Sequence, residues 1–390
     1  MPPLVPGPLA LYIHIPWCVK KCPYCDFNSH AGSQELPVAE YVAALVRDLE
    51  FDLPEVWGRT VQSVFFGGGT PSLFPASAIN EILAACSARL RFAPGAEITL
   101  ECNPGTVEHD RFEGYREAGV NRLSFGVQSF DDGCLAALGR IHGGAEAEDA
   151  VKLAQDAGFD NLNLDLMYAL PGQTVAMALH DVERAIALQP AHLSHYHLTL
   201  EPNTLFAARP PAGLPDEDLA WAMQEACQQR IAEAGFAHYE ISAYARPGRQ
   251  CRHNLAYWTY ADYLGIGAGA HGKLSFGADG RIQRRWKKKN PREYLAALAP
   301  GAAPGAHVGG EEDVLPPARP FDYMLNRLRL HAPFSLSEFE QATGVPRRAI
   351  AAELATAEAR GWLEGNGEVY ALTRLGRDFN NDLVSLFLRD

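Results

Sequence analysis

The sequence predicts an α/β protein: a partial, TIM-like (β/α)6 barrel followed by a smaller C-terminal α+β domain. Two observations support the barrel. Short apolar segments alternate with amphipathic helical segments six times, which favours a parallel sheet with right-handed crossovers. Six such units are too few for a closed eight-stranded barrel, so we expect an open one. A third observation, helices followed by a hairpin pattern near the end of the chain, predicts the second domain.

The first domain is predicted to span residues 1–240, with strands at residues 11–15, 63–68, 97–101, 122–128, 162–168 and 192–200. A helix over 39–51 follows the first strand, and a long helix begins at about residue 216. A connecting segment over 241–310 is rich in glycine. Residues 299–320, rich in Ala, Pro and Gly, are predicted to form a loop at the boundary with the last domain, 311–390. There, helices and a hairpin with its turn at Asn366-Gly367 predict a winged-helix-like fold that serves as a lid or docking module.

Composition limits the classes of function. Hydrophobic residues make up 47% of the chain and charged residues 21%, as in ordinary globular proteins. A net charge of -13 argues against nucleic-acid binding, which depends on a basic surface. The sequence shows no signal peptide and no apolar segment long enough to span a bilayer. We therefore expect a cytoplasmic protein, for which peripheral contact at the inner face of the membrane stays open.

Three cysteines, Cys18, Cys22 and Cys25, form a CxxxCxxC loop directly after the first strand. Ligand sites of parallel α/β barrels lie at the carboxyl ends of the strands, where this loop is placed. Three thiolates can hold three irons of a [4Fe-4S] cluster and leave the fourth for an exogenous ligand. A zinc site is the alternative, although structural zinc normally takes four protein ligands.

Other strand ends carry glycine or isolated polar residues. The GGGTP segment closes the second strand, where glycines let the backbone approach a ligand. Glu101, Gln128 and Asp165 end later strands in apolar surroundings, and a buried carboxylate is costly unless it is paired or binds something. Each of them alone is explained by a satisfied core group or a helix cap. Together they indicate a shared ligand.

The cysteine loop resembles that of the radical S-adenosylmethionine (SAM) superfamily, in which the methionine amine and carboxylate of SAM chelate the open iron. The segments YIHIPWC, GGGTPS, NPGT, GVQSF, LGR, YALPGQT and GAGAHG follow in the order of the branch around oxygen-independent coproporphyrinogen III oxidase. This resemblance implies SAM contacts from Tyr12, Tyr24, Gly68, Gly69, Thr70, Glu101, Gln128, Arg140 and Asp165, and more weakly from Thr199 and His271.

Two departures separate the chain from the oxidases of this branch. Phe27 stands where they have a further cysteine, and only eleven residues precede Tyr12, where they have an extension. The segment HNxxYW, from His253 to Trp258, instead resembles the signature of heme chaperones. The resemblance implies heme binding and delivery to respiratory hemoproteins, with a heme donor protein as a further partner. The alternative is the oxidase, which decarboxylates coproporphyrinogen propionates; we expect the chain not to have that activity.

Within HNxxYW, His253 is the predicted heme ligand, because a neutral imidazole coordinates heme iron. Tyr257 and Trp258 offer flat apolar surface for a porphyrin face. A packed, hydrogen-bonded histidine is the alternative, and Cys251 is a competing ligand. His14, beside the cluster loop, is a candidate proton donor, although a structural hydrogen bond is the favoured explanation.

A basic segment over residues 281–289 is predicted to form a solvated face, with a contact to heme propionates or anionic lipid as the alternative. The oligomeric state is open, and a homodimer is one alternative.

Overall fold

The computed structural model of the chain describes residues 2–32, 35–106 and 109–388. Most strands of that part join one 12-stranded sheet. Its strands, in chain order, are β1 (Leu9–Ile15), β2 (Thr60–Gly68), β3 (Arg91–Cys102), β4 (Arg122–Gln128), β5 (Leu162–Tyr168), β6 (His192–His197), β7 (Ala237–Glu240), β8 (Ala243–Ala245), β9 (Asp262–Ile266), β10 (His271–Phe276), β11 (Arg281–Lys287) and β12 (Val308–Asp313). A two-residue ladder, Trp17–Cys18 with His30–Ala31, lies apart from it.

Helices cover the sheet between these strands. They are α1 (Val38–Asp52), α2 (Ala76–Ser87), α3 (His109–Glu117), α4 (Asp132–Ala137), α5 (Gly144–Asp156), α6 (Val175–Ala187), α7 (Leu205–Ala208), α8 (Glu217–Glu233), α9 (Arg252–Trp258) and α10 (Pro291–Ala297). Short 3-10 helices add Leu53–Val56, Pro71–Leu73 and Pro104–Thr106. Several begin at side-chain caps of the expected type, such as Thr174 for α6 and Asp216 for α8.

Strand order in the sheet is β12-β11-β10-β9-β1-β2-β3-β4-β5-β6-β8-β7. The pairs from β1 to β6 are all parallel, so the predicted open six-stranded barrel is confirmed. Its strands are buried on both faces, as parallel strands covered by helices are. The carboxyl ends of these six strands consequently meet at one edge of the barrel.

The connecting segment forms further strands of this sheet. Strand β9 pairs in parallel with β1, and β10, β11 and β12 continue as an antiparallel extension. The expectation of a loop over 299–320 is wrong for residues 308–313, which form β12. In β9, Gly265 permits close approach of the neighbouring strand, since a Cβ would lie 2.0 Å from the His271 carbonyl oxygen.

The basic segment over 281–289 is largely ion-paired, so the predicted solvated face is wrong. Lys287 is only 2% exposed and its ammonium lies 2.7 Å from Asp48 Oδ1. Arg285 pairs with Asp52 at 2.7 Å and with Glu55 at 2.8 Å. The alternation along β11 turns these cations towards carboxylates of α1 and the turn that follows it, which explains their burial.

The C-terminal module consists of α11 (Arg319–Arg327), α12 (Leu336–Thr343), the 3-10 helix Arg347–Ile350, α13 (Ala351–Ala359), α14 (Arg374–Asp378) and α15 (Asn380–Ser385), with the small sheet β13 (Phe334–Ser335), β15 (Val369–Leu372), β14 (Leu363–Gly365). The hairpin turns at Asn366-Gly367 as predicted, and Gly367 has φ +86°. The module packs on the free edge of β7, where Glu240 bridges Leu330. Among the described residues, no helix is both long and apolar enough to cross a bilayer.

Candidate cofactor and ligand site

A cavity of about 290 Å³ lies at the carboxyl ends of β1 to β6. It brings together residues as far apart in the sequence as Cys18 and Glu201, because each strand of a parallel barrel delivers its last residues to the same edge. Its lining includes nearly all of the predicted cluster and SAM residues: Cys18, Cys22, Tyr24, Cys25, Gly68, Gly69, Thr70, Glu101, Gln128, Arg140, Asp165 and Thr199.

The cluster loop presents three half-buried free thiols to this cavity, at Cys18, Cys22 and Cys25. Burial raises the pKa of the Cys18 and Cys25 thiols, so bound metal is needed to hold them as thiolates. Among the described residues, no three His, Cys, Asp or Glu side chains converge on a point suited to a single metal ion. A cubane needs no such convergence, since each of its cysteines ligates a different iron.

Two glycines at the end of β2 let the cluster loop lie against that strand. A Cβ on Gly69 would lie 2.4 Å from the Trp17 carbonyl oxygen, one residue before Cys18. Gly68 has φ +112° and faces the His14 ring, which leaves no room for a side chain. Glycine is therefore required here by close backbone approach.

Two carboxyl groups of the cavity, Glu101 and Asp165, are partly buried and close enough to repel each other. Burial first, and then Asp165, raises the pKa of Glu101 from its ordinary 4.5 to about 8. Burial also raises the pKa of Asp165, against hydrogen bonds from Asn163 at 2.8 Å and Ser124 at 3.3 Å. A cationic ligand in the cavity would offset this cost, as expected for carboxylates that bind an amine.

Arg140 reaches the cavity from the turn after α4. Its Nη1 lies 3.7 Å from Cys22 Sγ, and its Nη2 donates to the Gly126 carbonyl oxygen. The buried Nε has no hydrogen-bond partner among the described residues, a cost that an anionic ligand group would relieve. On the other side, Gln128 Oε1 accepts a hydrogen bond of 2.8 Å from Tyr196.

A second, larger cavity of about 980 Å³ adjoins the first and shares Gly68, Glu101 and Asp165 with it. Tyr257 and Trp258 of the HNxxYW segment, predicted to face a ligand, lie in its wall. So does His271, which therefore lies away from the smaller cavity to which the family resemblance weakly assigned it. The volume falls within the range of roughly 300–1,000 Å³ that cofactor and ligand cavities occupy.

His253 is fully buried on α9, and both of its ring nitrogens have partners. Nδ1 lies 3.0 Å from Ser63 Oγ and Nε2 lies 2.9 Å from the Tyr257 hydroxyl. The ring also stacks on Phe65, with centroids 5.0 Å apart. Coordination of iron by His253 would require one of these hydrogen bonds to break, so its predicted ligand role stays a prediction that this arrangement does not favour.

Tyr12 and His14 line the larger cavity as a linked pair. The Tyr12 hydroxyl lies 3.0 Å from His14 Nδ1, and His14 Nε2 donates to the Asn28 carbonyl oxygen at 2.9 Å. Burial lowers the pKa of His14 to about 4, which keeps the ring neutral near pH 7. The hydrogen bonds give His14 a structural role in joining β1 to the cluster loop, and its role as a proton donor stays a prediction.

Sequence reasoning missed three residues of the site. Ser124 and Asn163 hydrogen-bond to Asp165 and to each other, with 2.8 Å between Asn163 Nδ2 and Ser124 Oγ. Tyr196 lines the smaller cavity and holds Gln128. The available signal was the alternation along β4 and β5, which places Ser124 on the same face as Gln128 and Asn163 on the same face as Asp165.

Two family models match the chain. The Radical SAM superfamily matches residues 12–185, and the HemN C-terminal domain matches residues 314–379. The first match covers the predicted cluster and SAM positions up to Asp165, and the second covers most of the C-terminal module.

The chain is similar over its full length to curated bacterial proteins named heme chaperone HemW. It is 49% identical to that of Escherichia coli, over 98% of this chain and 99% of the relative. It is 47% identical to that of Haemophilus influenzae, over 98% of each. Among solved structures, coproporphyrinogen III oxidase (HemN) of Escherichia coli matches with a TM-score of 0.82 at 23% identity, over 98% of this chain and 90% of that one. At that identity the match shows a shared fold.

Proposed function

The chain belongs to the HemW family of heme chaperones within the radical SAM superfamily, and from that membership we propose that it binds heme and delivers it to respiratory hemoproteins. The family match spans the whole chain, so it includes the HNxxYW segment and the C-terminal module. The name of the relatives supports heme as the ligand.

One structural observation carries the proposal: the ligand space is divided in two. The smaller cavity contains the three cysteines and most of the predicted SAM residues. The larger one, about 980 Å³, is lined by aromatic rings of the HNxxYW segment, Tyr257 and Trp258. Flat apolar surface of this kind suits a porphyrin face. A protein that holds heme beside its cluster needs such a second compartment.

In the smaller cavity, we propose that Cys18, Cys22 and Cys25 hold a [4Fe-4S] cluster whose open iron binds SAM. When bound, the two groups supply one-electron chemistry or a structural anchor. Glu101 and Asp165 accept hydrogen bonds from cationic or hydroxyl groups of the ligand, and Arg140 pairs with its carboxylate. Tyr24 is predicted to pack near the adenine, and it lies against Phe206 with ring centroids 6.4 Å apart.

Coproporphyrinogen oxidation is the activity we expect to be absent. Phe27, at the position where the resemblance implies a further cysteine, is 59% exposed at the mouth of the cavities and offers no metal-binding atom. The fold shared with the oxidase does not decide between the two activities, because one fold hosts many functions.

Further partners stay predictions: a heme donor protein, a second copy of the chain, and an anionic membrane surface near the acceptor. The ion pairs of Arg285 and Lys287 leave Lys288 as the part of the basic segment suited to such a surface, since Lys289 lines the larger cavity. Acceptors embedded in a respiratory membrane would bring the chain to its inner face.

Heme titration followed by transfer tests the proposal. Cluster-loaded protein, prepared without oxygen, is expected to bind one heme per chain and to pass it to the apo form of a respiratory b-type hemoprotein. A mixture in which the loaded protein is replaced by heme-loaded serum albumin controls for passive release. Heme transfer from the protein that is no faster than from heme-loaded albumin would contradict delivery. The absence of saturable heme binding would contradict the proposal as a whole.

A further inference from the structure

The antiparallel extension of the sheet forms one wall of the larger cavity. In the register of β10 and β11, His271 lies opposite Trp286, and Lys273 lies opposite Arg284. Because side chains alternate along a strand and opposed residues point to the same side, these four share one face. His271, Lys273 and Arg284 line the cavity.

Two cations on this face are already paired. Lys273 Nζ lies 3.1 Å from Asp262 Oδ1, and Arg284 Nη2 lies 2.7 Å from Asp322 Oδ1. His271 differs, because its ring makes no hydrogen bond or ion pair with any described residue. It is exposed to the cavity and stacks on Trp286, with centroids 6.1 Å apart and planes inclined by 24°.

The other histidines near the cavity have no ring nitrogen that is free to coordinate a ligand. His14 lines it too, but both nitrogens are hydrogen-bonded, to Tyr12 and to the Asn28 carbonyl oxygen. His253 is fully buried and bonded at both nitrogens. In the described part of the chain, His271 is thus the cavity-lining imidazole whose nitrogens are available to a ligand.

We propose that His271 supplies the axial ligand to heme iron in the larger cavity and that Lys289 pairs with a heme propionate. This inference rests on the proposed heme-binding function and specifies its site. Lys289 lines the same cavity, and its ammonium forms no ion pair with any described residue. Imidazole is a strong ligand for heme iron, and cationic side chains near the rim commonly neutralise carboxylates.

The surroundings of His271 suit this role. Partial desolvation by the cavity wall, Lys289 and Arg284 together lower the pKa of His271, so the ring is neutral and able to coordinate near neutral pH. Tyr257 and Tyr263 pack edge to face, 4.6 Å between centroids, and both line the cavity, where they offer apolar surface to the porphyrin.

His253 then acts as a positioning residue. Its Nε2 holds the Tyr257 hydroxyl at 2.9 Å, and Ser63 fixes the other side of the ring. The HNxxYW segment contributes through Tyr257 and Trp258, which the helix α9 delivers to the cavity wall. Any contribution of His253 to heme binding would thereby arise from packing and not from coordination.

Heme spectroscopy of single variants tests the inference. Ferric heme bound to the wild-type protein is compared by Soret absorption and EPR with His271→Ala, His253→Gln and Lys289→Ala. His180→Ala, an exposed imidazole on the outer helix α6, is the matched control. Cluster absorbance and thermal unfolding verify that each variant is folded and loaded.

We expect His271→Ala to shift the Soret band and EPR signal and to weaken heme binding at least tenfold, with added imidazole restoring the wild-type spectrum. Lys289→Ala should weaken binding several-fold without a spectral change, and His253→Gln and His180→Ala should retain the wild-type spectrum. A wild-type spectrum in His271→Ala, or its loss in folded His253→Gln, would overturn the inference while heme binding by the wild type still upholds the proposed function. No heme binding by the wild type would instead refute that function.

Discussion

The backbone N–H of Gly68 donates a hydrogen bond of 3.1 Å to Oε2 of Glu101, which ties the end of β2 to the end of β3 across the cofactor cavity. Burial and the neighbouring Asp165 raise the pKa of the carboxyl group that accepts this bond to about 8. A glycine needed for close approach and a carboxyl group that is costly to ionise therefore meet at the point where the two cavities join.

The first prediction concerns pH. Because the folded state raises the pKa of Glu101 from 4.5 to about 8, the folded apo-protein binds a proton that the unfolded chain releases between these values. This contribution to stability is present below pH 4.5 and is lost as the pH rises towards 8, at a rate of up to about 1.4 kcal/mol per pH unit. Urea unfolding of the wild type and Glu101→Gln from pH 5 to 8 measures it. The variant should gain stability relative to the wild type as pH rises; a constant difference would contradict the raised pKa.

A second prediction concerns the cluster. Cys22→Ser should abolish reconstitution of a [4Fe-4S] absorption spectrum, because a cluster left with two cysteines lacks a ligand for a second iron. Cys86→Ala, which removes a buried thiol of α2 outside the cavity, is the matched control and should keep its iron. Iron and sulfide analysis after anaerobic reconstitution gives the result. A normal iron count in Cys22→Ser would defeat the assignment.

The third prediction concerns SAM. Arg140→Lys keeps the positive charge but loses the planar guanidinium, whose two Nη atoms contact the Gly126 carbonyl oxygen and Cys22 Sγ. We expect SAM to bind about tenfold more weakly, equivalent to about 1.4 kcal/mol, to the cluster-loaded variant. Arg249→Lys, which alters an exposed pair with Asp160, should leave SAM affinity unchanged. Anaerobic calorimetry compares them, and equal affinity in the two variants would remove Arg140 from the SAM site.

A fourth prediction concerns close packing at the cluster loop. In Gly69→Ala the new methyl group would collide with the Trp17 carbonyl oxygen, 2.4 Å away. The loop that begins at Cys18 must shift, so we expect a loss of about 1–3 kcal/mol of stability and a lower iron content. Thermal unfolding and iron analysis of the same preparation test both effects. Wild-type stability together with full iron loading would show that the contact is not required.

The residues that sequence reasoning placed correctly are those with local signals. The six parallel strands follow from apolar periodicity, and the polar residues Glu101, Gln128 and Asp165 at strand ends do meet in one cavity. What it missed depends on long-range contacts. Strand β9 begins at Asp262, far from its partner β1 in the chain, so the segment alone does not reveal this pairing or the approach of β10 to Gly265.

The ion pairs and the hydrogen bonds of the histidine rings were harder to predict, because they too depend on long-range contacts. The pairing of Lys287 with Asp48 joins residues more than two hundred positions apart, so the basic segment alone could not show its burial. The hydrogen bonds of His253 to Ser63 and Tyr257 likewise depend on how α9 packs against β2. A sequence motif names the residues of a site, whereas packing decides which of their atoms remain available.

The most direct measurement of the central claim compares heme binding and coproporphyrinogen III conversion in one anaerobic preparation with reconstituted cluster, reductant and SAM. We predict saturable binding of one heme per chain, seen in the Soret difference spectrum, and no protoporphyrinogen formed above the background without protein. Sustained conversion of coproporphyrinogen III to protoporphyrinogen, with no saturable heme binding, would contradict the account and assign the chain to the oxidases whose fold it shares.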